Sequence, residues 1–355
     1  MRCKYSFLKV GTWNIEGAYA KINNFYVNKL RDTEFIQNAQ NHDILSVQET
    51  HCGPHDNPGQ HLTKFTSTPH CRKKSANNRF FGGMLLFIRK SIRKGVKVTY
   101  TEDPDILGIT LKKDFFNMPE DVLIWFVYAS QVNSHYYHDK NRENTVFKLE
   151  QKLALGTAGQ LLIMGDLNGR TGEVEDFIRE DNDHHSPAQE ASTYIPDVPM
   201  PRKNSDKTPQ DEHGKMIINF CKSLQMRILN GRTAGDRWGV PTRYPIHRSE
   251  KPSLIDYGIC SIRLRQAVRS FYVLPFTTLS DHCCISVSIT CNFNADDTQE
   301  ETQDTTKPTS HYGFQLAKTE TYRTFLRQDK RFEDLYVTIT RRLTDKNKVL
   351  SQNPR

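Results

Sequence analysis

The chain has 355 residues, room for one large core or two modest ones, and its 36% hydrophobic and 25% charged residues describe a polar globular protein. No apolar run approaches the ~18 residues of a membrane span, and Met1-Arg2-Cys3-Lys4-Tyr5-Ser6 enters a strand pattern with no signal peptide. The eight cysteines form no CxxC pair, so reduced thiols in cytoplasm or nucleus are expected rather than an exported disulfide framework or a membrane protein. Of the net charge of +8, the residues before 292 carry +7. A basic body suits a polyanion partner, although this much charge is common in proteins that bind none.

Lys9 to Asn14 reads as a strand ending in an amide, followed by a turn at Ile15-Glu16-Gly17. A helical pattern is expected from Asn24 to Ala39, with Phe25, Leu30, Phe35 and Ile36 on one side. Asp43 to Thr50 is a second strand with Glu49 at its end, and His51 to Asn78 reads as a surface excursion. Strands resume at Gly82–Ile88, Ile106–Leu111 and Val122–Tyr128. A helix is expected over His135–Leu155, and Leu161 to Met164 is a short strand buried on both faces. Residues 180–212 read as a long loop, Gly214–Leu224 as a helix and Arg227–Asn230 as a strand. An aromatic and basic loop follows, and strands at Leu254–Cys260 and Cys284–Ile289 close an α/β sheet core covered by helices. The expected organisation is one domain over 1–291, an acidic polar linker over 292–312 and a helical tail over 313–355.

Polar groups recur where these apolar strands end: Asn14, Glu49, Asp166 with Asn168, Asp256, and Asp281 with His282. After Leu161–Met164, Gly165 lets the backbone bend where a Cβ would crowd it. Asp166 and Asn168, two residues apart on extended chain, point the same way. The same tetrapeptide also suits an Asx-turn. Oxygen ligands without a Cys or His pair suit a hard cation, Mg²⁺ with Mn²⁺ as a substitute, which keeps several waters and takes one or two carboxylates. A separate cluster, His51, Cys52, His55, His61, His70 and Cys71, has spacings that match no common zinc pattern.

Seven segments in order, Thr12-Trp13-Asn14, Asp43 to Thr50, Gly82-Gly83, Val127-Tyr128, Gly165 to Asn168, Ile255-Asp256-Tyr257 and Ser280-Asp281-His282, resemble the endonuclease/exonuclease/phosphatase superfamily. The resemblance covers residues 8 to 291 and implies a DNase I-like four-layer α/β sandwich, two mixed sheets flanked by helices. Ile228 to Thr233, Ser253 to Tyr257 and Leu279 to Cys283 look more specifically like the endonuclease domain of non-LTR (LINE-type) retrotransposons. There a reverse transcriptase follows, so the tail is the expected start of a connection to it.

By that resemblance Glu49 is the principal Mg²⁺ ligand, assisted by Asn14, with Asp281 near the metal. Asp166 and Asn168 orient and activate the attacking water. His282 contacts the scissile phosphate, Asp256 holds its tautomer, and Tyr128 bonds a phosphate oxygen. The family often continues from this Tyr through Pro to Asn. Here the run is Tyr128-Ala129-Ser130-Gln131, so that contact is missing or supplied by Gln131. Glu16 is either an extra ligand or a solvated turn residue.

The 232–251 loop interleaves Arg232, Arg237, Arg243, Arg248 and Lys251 with Trp238 and Tyr244, a composition for lying in a DNA groove or for a solvated hairpin. Thr242, Arg243, Arg237 and Tyr244 of this loop, with Arg202 outside it, are the expected DNA contacts. Arg72-Lys73-Lys74 is expected to be a solvated basic run. The expected activity is Mg²⁺-dependent DNA nicking that leaves a 3′-OH. An AP endonuclease-like enzyme, another phosphoesterase, or a catalytically silent DNA-binding adaptor are the alternatives.

Overall fold

The computed structural model describes residues 2–22, 25–75, 79–131, 144–154, 159–178, 197–245 and 250–296. The expected linker beyond 296 and the helical tail lie outside them. Two six-stranded sheets hold the chain together. The first contains β1 (Arg2–Asn14), β4 (Ile44–Gln48), β5 (Phe65–His70), β6 (Met84–Arg89), β13 (Val268–Val273) and β14 (Ile285–Asp296), in the order β13-β14-β1-β4-β6-β5. The second contains β7 (Val96–Tyr100), β8 (Ile106–Leu111), β9 (Val122–Val127), β10 (Gln160–Asp166), β11 (Met226–Ile228) and β12 (Asp256–Ser261), in the order β11-β12-β10-β9-β8-β7. Each sheet has one parallel pair at its centre, β1 with β4 and β9 with β10, and its other pairings are antiparallel. A small hairpin, β2 (Tyr19–Ile22) and β3 (Phe25–Asn28), stands apart from both.

Strand periodicity explains the layering. Leu162 and Met164 face the other sheet and join Leu8, Val10, Ile44, Ile124 and Val287 in a core between the sheets. Leu161 and Ile163 point the opposite way, under α3 (Thr145–Ala154) and α4 (Glu212–Ser223). On the outer face of the first sheet Trp13, Leu45, Val47 and Phe87 pack against Phe35 of α1 (Thr33–Gln40). These four layers, with the short helices α2 (Lys113–Phe116) and α5 (Ile262–Arg265), are the DNase I-like sandwich that the strand pattern and motifs imply.

Three readings need correction. The helix expected over 24–39 starts only at Thr33. Asn28 caps a short 3₁₀ turn by accepting from Leu30 N at 2.9 Å, Asp32 caps α1 by accepting from Glu34 N at 2.8 Å, and Phe25–Asn28 pairs as strand. The excursion over 51–78 contains edge strand β5, where Pro69 is tolerated, and β7 and β13 went unread. The last strand continues past residue 291, since Asp296 pairs with Arg2.

His42 lies buried against Gly11. Its Nδ1 is 2.7 Å from Asn38 O and its Nε2 is 2.9 Å from Ser286 Oγ, and burial lowers its pKa to about 4. The unfolded chain takes up this proton near pH 6.5, so stability is intact above that value. It falls by roughly 3 kcal/mol as pH drops toward 4. Urea titrations across this range should show that loss, and His42→Gln should flatten it.

Candidate active site

The site forms where strands of both sheets end together. Parallel register puts Asn14 beside Gln48, and antiparallel register puts Asp166 beside Asp256. Asn14 is buried, and its Nδ2 donates to Glu49 Oε1 and to Asp166 Oδ2, both at 3.0 Å, so one amide ties a carboxylate of each sheet. Gln48 makes a second tie: its Nε2 donates to Val127 O at 2.9 Å, and its Oε1 accepts from Asp166 N at 3.1 Å. A Cβ on Gly165 would lie 1.8 Å from Val127 O, so only glycine permits this approach. Asn168 donates its backbone N–H to Asp166 Oδ1 at 3.0 Å and its side-chain amide to Asp166 Oδ2 at 3.1 Å and Ala129 O at 2.7 Å.

His282 closes the site from the last loop. Its Nδ1 donates to Asp256, 2.9 and 3.1 Å from the two oxygens, and its Nε2 lies 3.8 Å from Asp166 Oδ2. The loop is pinned to the end of β1: Trp13 Nε1 donates to His282 O at 2.9 Å, and Ser280 Oγ donates to Asn14 O at 2.7 Å. Asp281 accepts from Arg243 Nε at 2.8 Å, and its N–H donates to Glu16 Oε2 at 3.0 Å. Four non-glycine residues here, Glu16, Glu49, His51 and Asn168, have φ between 46° and 55°, so backbone strain concentrates at the site.

The charges diverge. Burial would raise the Glu49 carboxyl, but hydrogen bonds from His51, Tyr128 and Asn14 hold it down at about 2. Burial and the Asp256 charge push Asp166 up to about 8 against the pull of His282. Burial disfavours the His282 cation, yet Asp256 and Asp166 raise it to about 10. Burial likewise lifts Asp281 to about 6, with His282 and Arg243 opposing.

Oxygen donors fit a hard cation. Glu49 is ionised and about one-fifth exposed, while the buried Asp281 Oδ1 makes no hydrogen bond. Ligand atoms of Asp166, Asp256 and His282 lie within 4.8 Å of one another, but Asp256 is committed to His282 and to Thr242 Oγ1, which donates at 2.6 Å. Among the described residues no metal-ligating group forms around His51, Cys52, His61 and His70; His61 Nε2 is 2.8 Å from Leu30 O and Cys52 Sγ donates to Thr50 O.

Every expected residue from Asn14 to His282 in the catalytic and metal sets therefore converges. Tyr128 is buried and hydrogen-bonds Glu49. Two expected DNA contacts, Thr242 and Arg202, do not reach the surface. Thr242 is fully buried and holds Asp256, with its oxygen also accepting from Ile255 N and Asp256 N. Arg202 is buried on Thr171 and Val174, and Arg232 is bidentate to buried Asp176 at 2.8 and 3.0 Å. Arg243 is spent on Asp281 and Glu250, and half-buried Tyr244 packs edge-on to Phe276. Arg237 is exposed. Arg72 is not solvated: it is buried, donates to Asp105 at 2.7 Å and Ser130 at 2.9 Å, and lies over the Tyr128 ring. Gln48, Arg72, Lys29 and the Thr242 contact escaped the sequence because an uncharged strand residue or an arginine in a basic run carries no mark of its partner. Lys29 donates to Ile15 O and Glu16 O beside the acidic cluster.

A two-sheet sandwich with a carboxylate, amide and histidine centre at the strand ends defines a hydrolytic phosphoesterase of the nuclease and phosphatase kind. The chain belongs to the Endonuclease/Exonuclease/phosphatase family, whose pattern residues 11–282 match. Divalent metals are general in that family. No curated protein matches the sequence. Among solved structures it is similar to the AP endonuclease LMAP from Leishmania major, with a TM-score of 0.53 and 16% identity over 80% of this chain and 88% of that one. It is also similar to a 3′-5′ exonuclease from Neisseria meningitidis, with a TM-score of 0.50 and 15% identity over 80% of this chain and 100% of that one.

Because Thr242 acts through Asp256, Thr242→Val should lower kcat for phosphodiester hydrolysis by about 10- to 100-fold and leave substrate affinity unchanged. A phosphate-contacting threonine would give the reverse pattern in steady-state and binding measurements. Arg72→Met should cost about 3–5 kcal/mol in urea unfolding by stranding buried Asp105, with much of it recovered in Arg72→Met/Asp105→Leu.

Proposed function

We propose that this chain is a Mg²⁺-dependent DNA endonuclease that nicks one strand and leaves a 3′-OH, as the endonuclease domain of LINE-type retrotransposons does. The observation that carries the reading is the Asn14 bridge between Glu49 and Asp166, with His282 Nε2 3.8 Å from the same Asp166 oxygen that Asn14 bonds. That spacing gives one phosphate a metal-binding edge, a proton acceptor and a cationic donor together. Support for the LINE-type assignment comes from Ile228 to Thr233, Ser253 to Tyr257 and Leu279 to Cys283. On this reading the 292–312 and 313–355 segments connect to a reverse transcriptase.

Glu49 would hold the ion, with Asp281 and Asn14 beside it. A bound divalent ion supplies Lewis-acid stabilisation of the charge that develops on the phosphate oxygens. In its ionised form Asp166, made the stronger base by its raised pKa, takes the proton of the attacking water, and Asn168 keeps the Asp166 oxygens oriented. His282, kept protonated by Asp256, donates to a phosphate oxygen. Tyr128 holds Glu49 ionised by donating its hydroxyl to it. Exposed Arg237 meets DNA phosphates outside the chemical centre.

Supercoiled plasmid incubated with Mg²⁺ should be nicked, and EDTA should stop it. Asp166→Ala should slow nicking by about 10²- to 10⁴-fold. Sequencing and labelling of the ends should find 3′-OH termini. Cleavage confined to abasic DNA would favour the repair-type alternative, and binding without nicking would identify an adaptor.

A further inference from the structure

We propose that Trp238, backed by Lys203, is a stacking platform for an unpaired base of the substrate strand, so that the enzyme prefers DNA that is single-stranded or frayed next to the scissile phosphate. The preference for the scissile position rests on the nuclease reading; the stacking itself does not.

Trp238 is 62% exposed, although it is the largest apolar side chain in its loop. The Lys203 ammonium lies 3.9 Å from the ring centroid, so a cation covers one face while the exposure leaves ring surface open to solvent. The backbone beneath is fixed. Asp236 Oδ1 accepts from the N–H groups of Trp238, Gly239 and Val240, and Ser205 Oγ donates to Trp238 O at 2.9 Å. A Cβ on Gly231 or Gly239 would lie 1.8 or 2.4 Å from Lys203 O, so the two glycines let the Lys203 segment press against the turn. Lys203 N donates to Gly231 O and Ser205 N to Gly239 O, which ties the two segments together.

A large aromatic held in place while exposed loses little entropy on binding, and its π-face accepts any base. The turn is also close to the chemistry. Thr242, which bonds Asp256, lies four positions after Trp238, a span of at most about 14 Å of extended chain. A base stacked on Trp238 therefore belongs to a nucleotide within a few positions of the phosphate at His282.

Tryptophan emission tests this without catalysis. The chain has three tryptophans, and Trp13 and Trp125 are buried at 1% and 7% exposure, so solvent-exposed emission comes from Trp238. In EDTA, titration with a single-stranded oligodeoxynucleotide should quench that emission as the anisotropy of a labelled copy rises. A blunt duplex should quench it less. Trp238→Ala should weaken single-strand binding by about 5- to 100-fold, with Trp238→Phe between it and wild type, while its urea unfolding midpoint stays near wild type. Binding with unchanged emission, no single-strand binding, or a Trp238→Ala affinity within twofold of wild type would overturn the proposal. Plasmid nicking without quenching would sink the platform alone, whereas quenching without nicking would sink the nuclease reading and leave the platform standing.

Discussion

Two buried amides hold the active region together across the gap between the sheets. Asn14 ends a strand of one sheet and donates to Asp166 at the end of the other, while Gln48, its neighbour in register, accepts from Asp166 N and donates to Val127 O. Packed sheets alone do not fix their relative slide to fractions of an ångström, because apolar contacts have no direction. Hydrogen bonds do, and a buried amide left without partners costs about 1–3 kcal/mol, so the sheets lock at the one offset that satisfies both. The same offset places Glu49, Asp166 and Asp256 around a single volume. The Asn14 N–H groups stand between the Glu49 and Asp166 carboxylates and donate to both.

Asp166 is legible because an abrupt polar residue after four buried apolar ones has few structural explanations. Glu49, Asp256 and His282 stand at the ends or starts of apolar strands, and the resemblance to the family's motifs supplies their order. The arginines could not be sorted the same way. Arg72, Arg202, Arg227 and Arg232 look like solvent or phosphate contacts in a linear sequence, but the fold buries each with a carboxylate or a set of oxygens far along the chain. A lone Asp such as Asp176 or Asp105 gives no hint of which arginine it neutralises. Thr242 shows the same limit: it reads as a DNA contact, but its buried hydroxyl donates to Asp256. Helix α1 was overextended because Leu30 keeps the helical spacing even though Asn28 and Asp32 each cap and interrupt it.

Burying several acids together needs counter-charge within the chain. His282 sits between Asp256, Asp166 and Asp281; Arg243 takes the other oxygen of Asp281; and the Lys29 ammonium lies near Glu16, Asp281 and Glu49. These cations lower the self-repulsion of the cluster, and each is held by protein oxygens. The left-handed backbone at Glu16, Glu49, His51 and Asn168 is the strain accepted to aim so many polar groups at one point.

That allocation has a consequence for substrate. Cations spent on shaping the site are not available to a polyanion, because a guanidinium paired with a buried carboxylate gains little by exchanging it for a screened phosphate. Arg232 on Asp176 and Arg243 on Asp281 are of this kind, and Arg202 is buried against the oxygens of Thr171 and Val174. The cations left in solvent are others, such as Arg237 on the turn that carries Trp238 and Lys203 on the segment packed against it. Within one loop, buried Thr242 and partly exposed Arg243 hold Asp256 and Asp281, while Arg237 and Trp238 stay in solvent.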